Sequence, residues 1–145
     1  MLKPHTQKIL MAILGGTLLA ACETNPVSGR QQLVLVSESE AQQASAQAYS
    51  QTLSEAQSKG RLNTDAALNA RVRRITDQLI TQAGNMYPES RSWKWSIAVI
   101  DEPKINAWAM PGGKMAIYTG IIEKLSLSDD EIAQIMGHEI SHAIL

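Results

Sequence analysis

Two of the three histidines in this 145-residue chain, His138 and His142, stand four positions apart, with Glu139 beside the first. Residues at that spacing project from one face of a helix, so both imidazoles can be offered to a single ion. Zinc accepts neutral imidazole nitrogen at about 2.0–2.1 Å, and a hydrolytic site combines about three protein ligands with a position open to water. A carboxylate next to the first ligand can reach that water, whose pKa the ion lowers to about 7. Glu139 can therefore take a proton while hydroxide attacks a carbonyl, then deliver it to the leaving amine. The expectation is a half-site for one Zn2+ per subunit, with His138 and His142 as ligands and Glu139 as general base and then acid. Three fixed positions match by chance in a chain of this length at odds on the order of one in a few hundred. The rival reading is a surface helix carrying two unrelated histidines, or a core helix with a satisfied histidine.

These residues need a well-defined helix, and the sequence marks its start. Ser128 and Glu131 have capping-box spacing, and Asp129 and Asp130 put negative charge where the helix dipole favours it. From there Ile132, Ile135, Met136 and Ile140 recur at helical intervals to the end of the chain. Earlier, Ser37 and Glu40 open a helix reaching about Lys59, with Ala46, Tyr49, Leu53 and Ala56 on one face. The alanines predict close packing against another helix. A second helix begins near Asp65, buries Leu68, Val72, Ile75 and Leu79, and ends at Gly84. Between these helices and the histidines, Trp93, Trp95, Ile97 and Val99 alternate with Lys94, Ser96 and Ala98, the period of a strand with one buried face. Residues 105–110 and 114–119 are two further strands joined tightly through Pro111-Gly112-Gly113, and residues 120–125 form a short helix. The predicted class is α+β, with helices on a small, mostly antiparallel sheet.

The N-terminus has a different purpose. Lys3 and Lys8 precede an apolar stretch, residues 9–19, too short to span a membrane comfortably, so residues 1–21 read as a removable signal. The sequence Leu19-Ala20-Ala21-Cys22 resembles the bacterial lipobox, in which the cysteine is acylated and becomes the first mature residue. Cys22 is the only cysteine, so the mature chain has no intrachain disulfide and is expected to be held to a membrane through lipidated Cys22. Residues 22–36 then read as a lipidated tether and residues 37–145 as the N-terminal part of a catalytic domain. Glu23 follows the cysteine where a retention signal would have Asp, which favours the outer membrane of a periplasm-facing envelope over the inner one. Removing Lys3 and Lys8 from 13 basic residues leaves 11 against 14 acidic ones, a net charge of −3. This balance argues against a nucleic-acid partner. Arg71, Arg73 and Arg74 read as the solvated face of a helix.

Several separated motifs share a resemblance. Asn25-Pro26-Val27-Ser28-Gly29-Arg30, Ile105-Asn106-Ala107-Trp108-Ala109-Met110-Pro111-Gly112-Gly113-Lys114, Ile117-Tyr118-Thr119-Gly120 and Met136-Gly137-His138-Glu139-Ile140-Ser141-His142-Ala143 resemble the HtpX and Ste-type, CAAX-protease-related metallopeptidases. Within that group they are most similar to exported bacterial lipoproteins and mitochondrial Oma-type members. The resemblance implies a gluzincin-like fold and zinc-dependent endopeptidase action on membrane-associated or misfolded envelope proteins, as a form of quality control. It also implies that an edge strand, here Asn106, Ala107, Trp108 and Ala109, aligns the extended protein or peptide substrate by backbone pairing, which demands little of the substrate's sequence. Tyr118 and Thr119 are read as structural.

The family pattern takes its third ligand from a Glu on a later helix, whereas this chain stops three residues after His142. Glu131 lies about two helical turns before His138, too far along the same helix to join it. A truncated N-terminal portion of a longer metallopeptidase is therefore expected. The alternative is a non-catalytic envelope lipoprotein whose protease-derived scaffold binds partners. The lipobox reading predicts that Cys22→Ser releases the protein from membranes or leaves its signal uncleaved; unchanged acylation and membrane fractionation would refute it.

Overall fold

The computed structural model describes the backbone of residues 22–24 and 31–33 and all of residues 36–144. The proposed signal, residues 1–21, and the motif at residues 25–30 lie outside the described residues. The chain divides into two units, Met1–Ser37 and Glu38–Leu145. In the first, within the segment read as a tether, β1 (Cys22–Thr24) pairs antiparallel with β2 (Gln31–Leu33), placing Cys22 opposite Leu33.

The second unit is built on alternation in three short strands, β3 (Ser96–Ile100), β4 (Ala107–Met110) and β5 (Lys114–Tyr118). Side chains along a strand point to opposite faces in turn. Accordingly Val99, Ala107, Met115 and Ile117 join one apolar cluster, with Ile97 and Ala109 packed against it, while Ala98, Ile100, Ala116 and Tyr118 join another beside Trp108 and Met110. The expected single buried face of β3 is thus corrected to two. Trp93 and Trp95 also precede the strand instead of belonging to it.

The spatial order is β3-β5-β4. β4 and β5 form the expected hairpin, with Ala107 opposite Ile117 and Met110 opposite Lys114. β5 also runs parallel to β3, with Ser96 opposite Lys114 and Ile100 opposite Tyr118. The sheet is therefore mixed, not mostly antiparallel. The reason is the segment at residues 101–106: it reverses the chain, the Gly112-Gly113 turn reverses it again, and β5 enters between its predecessors in the direction of β3. Both glycines in that turn have positive φ, 79° and 76°. A Cβ on Gly113 would also lie 2.6 Å from the Trp95 ring, so glycine is required there on two counts.

Helices cover both faces. Helix α1 (Glu38–Ser58) lies on the β5 side through Tyr49 and Ala56, with Leu53 alongside. Its partner is the sheet, not the helix anticipated from its alanines, and the residue turned inward is Ser45, whereas Ala46 is exposed. Small residues at the paired positions Ala98 and Ala116 leave room in this cluster for the Tyr49 ring. The Tyr49 hydroxyl lies 3.0 Å from Ser96 Oγ, and its ring meets Trp108 edge-on at 6.0 Å.

Helix α2 (Ala66–Met86) starts where expected because Asp65 accepts hydrogen bonds from the amides of Ala67 and Leu68 at 2.8 and 3.0 Å. It runs past Gly84, which is buried against Arg91 instead of ending the helix. A Cβ at Gly84 would approach Arg91 Cγ to 3.0 Å. A 3-10 turn (Pro88–Ser92) then leads to β3. Helices α3 (Thr119–Lys124) and α4 (Asp129–Ile144) complete the unit. Val72 and Ile75 of α2 share the first cluster with Ile132, Met136 and Ile140 of α4. Among the described residues no helix is long and apolar enough to cross a membrane.

The two edges of the sheet differ. Beside β3, the turn after α1 acts as a partial strand: Asn63 N–H donates to Val99 O at 2.9 Å, and Val99 N–H donates to Asn63 Oδ1 at 3.0 Å. Asp101 N–H donates to Arg61 O at 2.8 Å, and Leu62 bridges Ile100. β4, at the other edge, pairs with no second strand among the described residues. Asn63 reaches its position with a φ of 51°, a conformation asparagine tolerates better than most residues. Asn63→Ala should orphan the Val99 amide and strain the turn, lowering stability by about 1–3 kcal/mol. An unchanged urea-unfolding midpoint would mean that the edge is sealed without it.

Candidate active-site helix and its supports

Helix α4 is fixed at its start by two separate devices. Ser128 N–H donates to Glu131 Oε2 at 2.7 Å, and Glu131 N–H donates to Ser128 Oγ at 3.3 Å, completing the expected capping box. These bonds to Ser128 hold the Glu131 carboxyl below its usual range. The second device corrects the reading of the arginines. Arg71 Nε donates to Asp129 Oδ1 at 2.6 Å, Arg74 Nη2 donates to Asp129 Oδ2 at 2.9 Å, and Arg71 Nη2 donates to Leu127 O at 2.7 Å. Arg71 and Arg74 thus join α2 to the first turn of α4, although Arg73 and Arg74 both remain exposed as expected. Their spacing alone resembles a solvated helical face because the partner, Asp129, is more than fifty residues away in sequence.

Beyond this clamp, Ile132, Met136, Ile140 and Ile144 form the buried stripe of α4. His138 and His142 fall on the exposed side, two residues out of step with that stripe. Their Nε2 atoms converge to 3.0 Å, and the rings meet edge to face with centroids 4.4 Å apart. Two ligand nitrogens about 2.05 Å from one tetrahedral ion lie about 3.3 Å apart, so the donor pair fits half of a zinc site. Ser141 Oγ donates to His138 O at 2.6 Å, keeping the side chain between the ligands turned onto the helix backbone. Glu139 is half-buried, and its carboxylate forms no hydrogen bond or ion pair with another described residue. Among the described residues no group of three or more His, Cys, Asp or Glu side chains could hold a metal. Glu131 is occupied by its cap.

The residues expected to align substrate lie close by in the fold. Ala107, Trp108 and Ala109 form most of β4, the unpaired edge, and β4 packs against α4. Ala107 and Ala109 belong to the cluster containing Met136 and Ile140, while Trp108 faces Tyr49. Asn106 stands just outside the strand and accepts a hydrogen bond from Tyr118 N–H at 3.1 Å. The structure therefore packs β4 against the buried stripe of α4, the helix that carries His138, Glu139 and His142, with the two histidines on its exposed side. Cys22 belongs to the other unit.

Helix α4 thus presents two convergent imidazoles beside a carboxylate and packs against β4. Residues 66–145 match the model of peptidase family M48, and the chain belongs to that family. It is 31% identical over 124 residues to the human mitochondrial metalloendopeptidase OMA1, an alignment covering 85% of this chain and 23% of that protein. It is 40% identical over 50 residues to mitochondrial metalloendopeptidase OMA1 of Arabidopsis thaliana, covering 34% of this chain and 10% of the relative. Metalloprotease YcaL of Escherichia coli is 39% identical over 41 residues, covering 28% of this chain and 15% of YcaL. The chain thus spans less than a quarter of the length of these curated relatives.

The clamp on α4 gives a pH signature. Arg71 first, and Arg74 second, hold the Asp129 carboxyl below its ordinary value. A carboxyl depressed in the folded state adds stability above the ordinary carboxylate range and loses it as pH falls through the folded value. Asp129→Asn should therefore lower the urea midpoint near neutrality, with the difference from wild type narrowing as the solution is acidified below that range. A difference independent of pH would assign the loss to packing instead of charge.

Proposed function

We propose that this chain supplies the metal-bearing helix and substrate-facing sheet of a gluzincin-type zinc metalloendopeptidase. The observation that carries the reading is the convergence of His138 and His142 on the helix matched by the M48 family. In this reading His138 and His142 hold one Zn2+, and a third protein ligand comes from outside the described residues. When bound, zinc supplies Lewis acidity that polarises water and a peptide carbonyl near neutral pH.

The chain's own residues do the rest. An extended substrate segment pairs with the backbone of Ala107, Trp108 and Ala109, with Asn106 at the entry to the strand, so its peptide is presented alongside α4. The Glu139 carboxylate removes a proton from the attacking water and returns it to the leaving amine nitrogen as the C–N bond breaks. Buried Met136 and Ile140 fix the helix on either side of Glu139, and burying side chains of this size contributes about 1.5–3 kcal/mol each. Pairing through backbone suits substrates chosen for being extended more than for a particular sequence. Membrane-associated or misfolded proteins of the cell envelope are the proposed class. Lipidated Cys22, after removal of residues 1–21, would hold the enzyme at the periplasmic side of a membrane, with the outer membrane favoured by Glu23.

A second reading rests on the limited ligand set: a non-catalytic envelope lipoprotein using the same scaffold to bind partners. The two separate on one experiment. In the complete protein, Glu139→Gln should keep stoichiometric zinc while peptide hydrolysis falls by about 100-fold or more. Substantial residual turnover would remove Glu139 from the mechanism. A complete wild-type protein that holds no zinc and cleaves nothing would favour the binding scaffold.

A further inference from the structure

The unpaired edge can align a substrate only if the segment that feeds β4 is also fixed in space: β5 holds the strand on its inner side, and among the described residues no strand lies on its outer side. The structure points to the start of α3 instead. Gly120 N–H donates to Glu102 O at 2.9 Å, and the Thr119 hydroxyl, itself buried, lies 3.2 Å from Asp101 Oδ1 and 3.3 Å from Glu102 O. A Cβ at Gly120 would lie 2.4 Å from the carbonyl carbon of Pro103, 2.5 Å from Lys104 O and 2.7 Å from Lys104 N. These are backbone atoms, which cannot turn aside as a side chain could. Lys124 Nζ then donates to Pro103 O at 2.7 Å, and the Tyr118 amide holds Asn106 O at 3.1 Å. Residues 101–104 are thus held against α3, and Asn106 is held by β5 where the segment enters β4.

We propose that Thr119 and Gly120 are positioning residues for substrate: they set where the open edge begins by clasping the segment that feeds it. This rests on the reading of β4 as the strand that pairs with substrate. Neither residue touches the substrate or zinc. Gly120 is required because the approach of two backbones leaves no room for a methyl group, not because of its backbone angles. Thr119 contributes the single hydroxyl proton shared by the segment's acceptors.

An edge that binds substrate through its backbone binds the ground state and the transition state alike, so its displacement should raise KM and spare kcat. The test uses the complete zinc-loaded protein and an extended peptide substrate, with a small hydroxamate inhibitor as a probe of the metal alone. Gly120→Ala and Thr119→Val should each raise KM about tenfold or more. Their kcat, zinc content and hydroxamate inhibition should stay within about twofold of wild type, the range of contextual scatter. Thr119→Ser, which keeps the hydroxyl, should restore KM.

An unchanged KM in Thr119→Val overturns the proposal. So does a parallel loss of zinc, kcat and hydroxamate inhibition in that variant, since this would be general damage to the scaffold. If Gly120→Ala does not fold, the comparison of Thr119→Val with Thr119→Ser decides alone. Loss of hydrolysis in Glu139→Gln together with wild-type KM in the Thr119 and Gly120 variants would sink the clasp and leave the peptidase reading standing.

Discussion

Two imidazoles can share one ion only while the helix between them stays regular and keeps its rotation about its own axis. The contacts around α4 meet that constraint. Its inner stripe, Ile132, Met136, Ile140 and Ile144, resists rotation because turning the helix would bring apolar surface into water. Its first turn resists sliding, because Asp129 is held by two arginines from α2 and Ser128 and Glu131 close the backbone ends. Packing sets the rotation, and the polar clamp sets the axial position. Neither device involves the histidines, which are left on the exposed side with their nitrogens converging.

The sheet places a second demand on the same helix. In the proposed function β4 must lie against α4 and keep one edge open to substrate; among the described residues no strand pairs with that edge, while β3 at the far side needs no such access. The chain meets both needs with local means. Asn63 and its neighbours seal the β3 edge through three backbone-directed bonds, and the segment after β3 is carried past α3 before it enters β4. The mixed order β3-β5-β4 puts the strand with the most buried residues in the middle, where both faces and both edges are covered.

What could be read from the sequence was what depends on short spacing. The His138, Glu139 and His142 constellation, the Ser128 to Glu131 cap, the Asp65 helix start and the Pro111-Gly112-Gly113 hairpin all involve residues within a few positions of one another, and each has one local geometry that satisfies it. Long-range pairing was not legible. Arg71 and Arg74 carry no mark of Asp129. The alanines of α1 look the same whether they approach a helix or a sheet, and strand alternation cannot tell one covered face from two when the second is lined by Ala98 and Ala116. Gly84 and Gly120 look like helix punctuation, yet each is a point of close approach to a distant segment. The parallel pairing of β3 with β5 depends on the path of the chain between them, which no pattern within either strand records.

The open edge of β4 also bears on solubility. A strand with free amides and carbonyls is a template for any other extended chain, including copies of itself, and edges of this kind seed aggregation when they are long, flat and apolar. Here the exposed template is four residues long, and it ends at Pro111, which has no amide to donate. The charged Lys104 lies within the segment leading into the strand. Four residues can pair with one extended peptide but offer little template for a growing sheet, so in the proposed function the edge that would hold an unfolded chain would also limit co-aggregation with it.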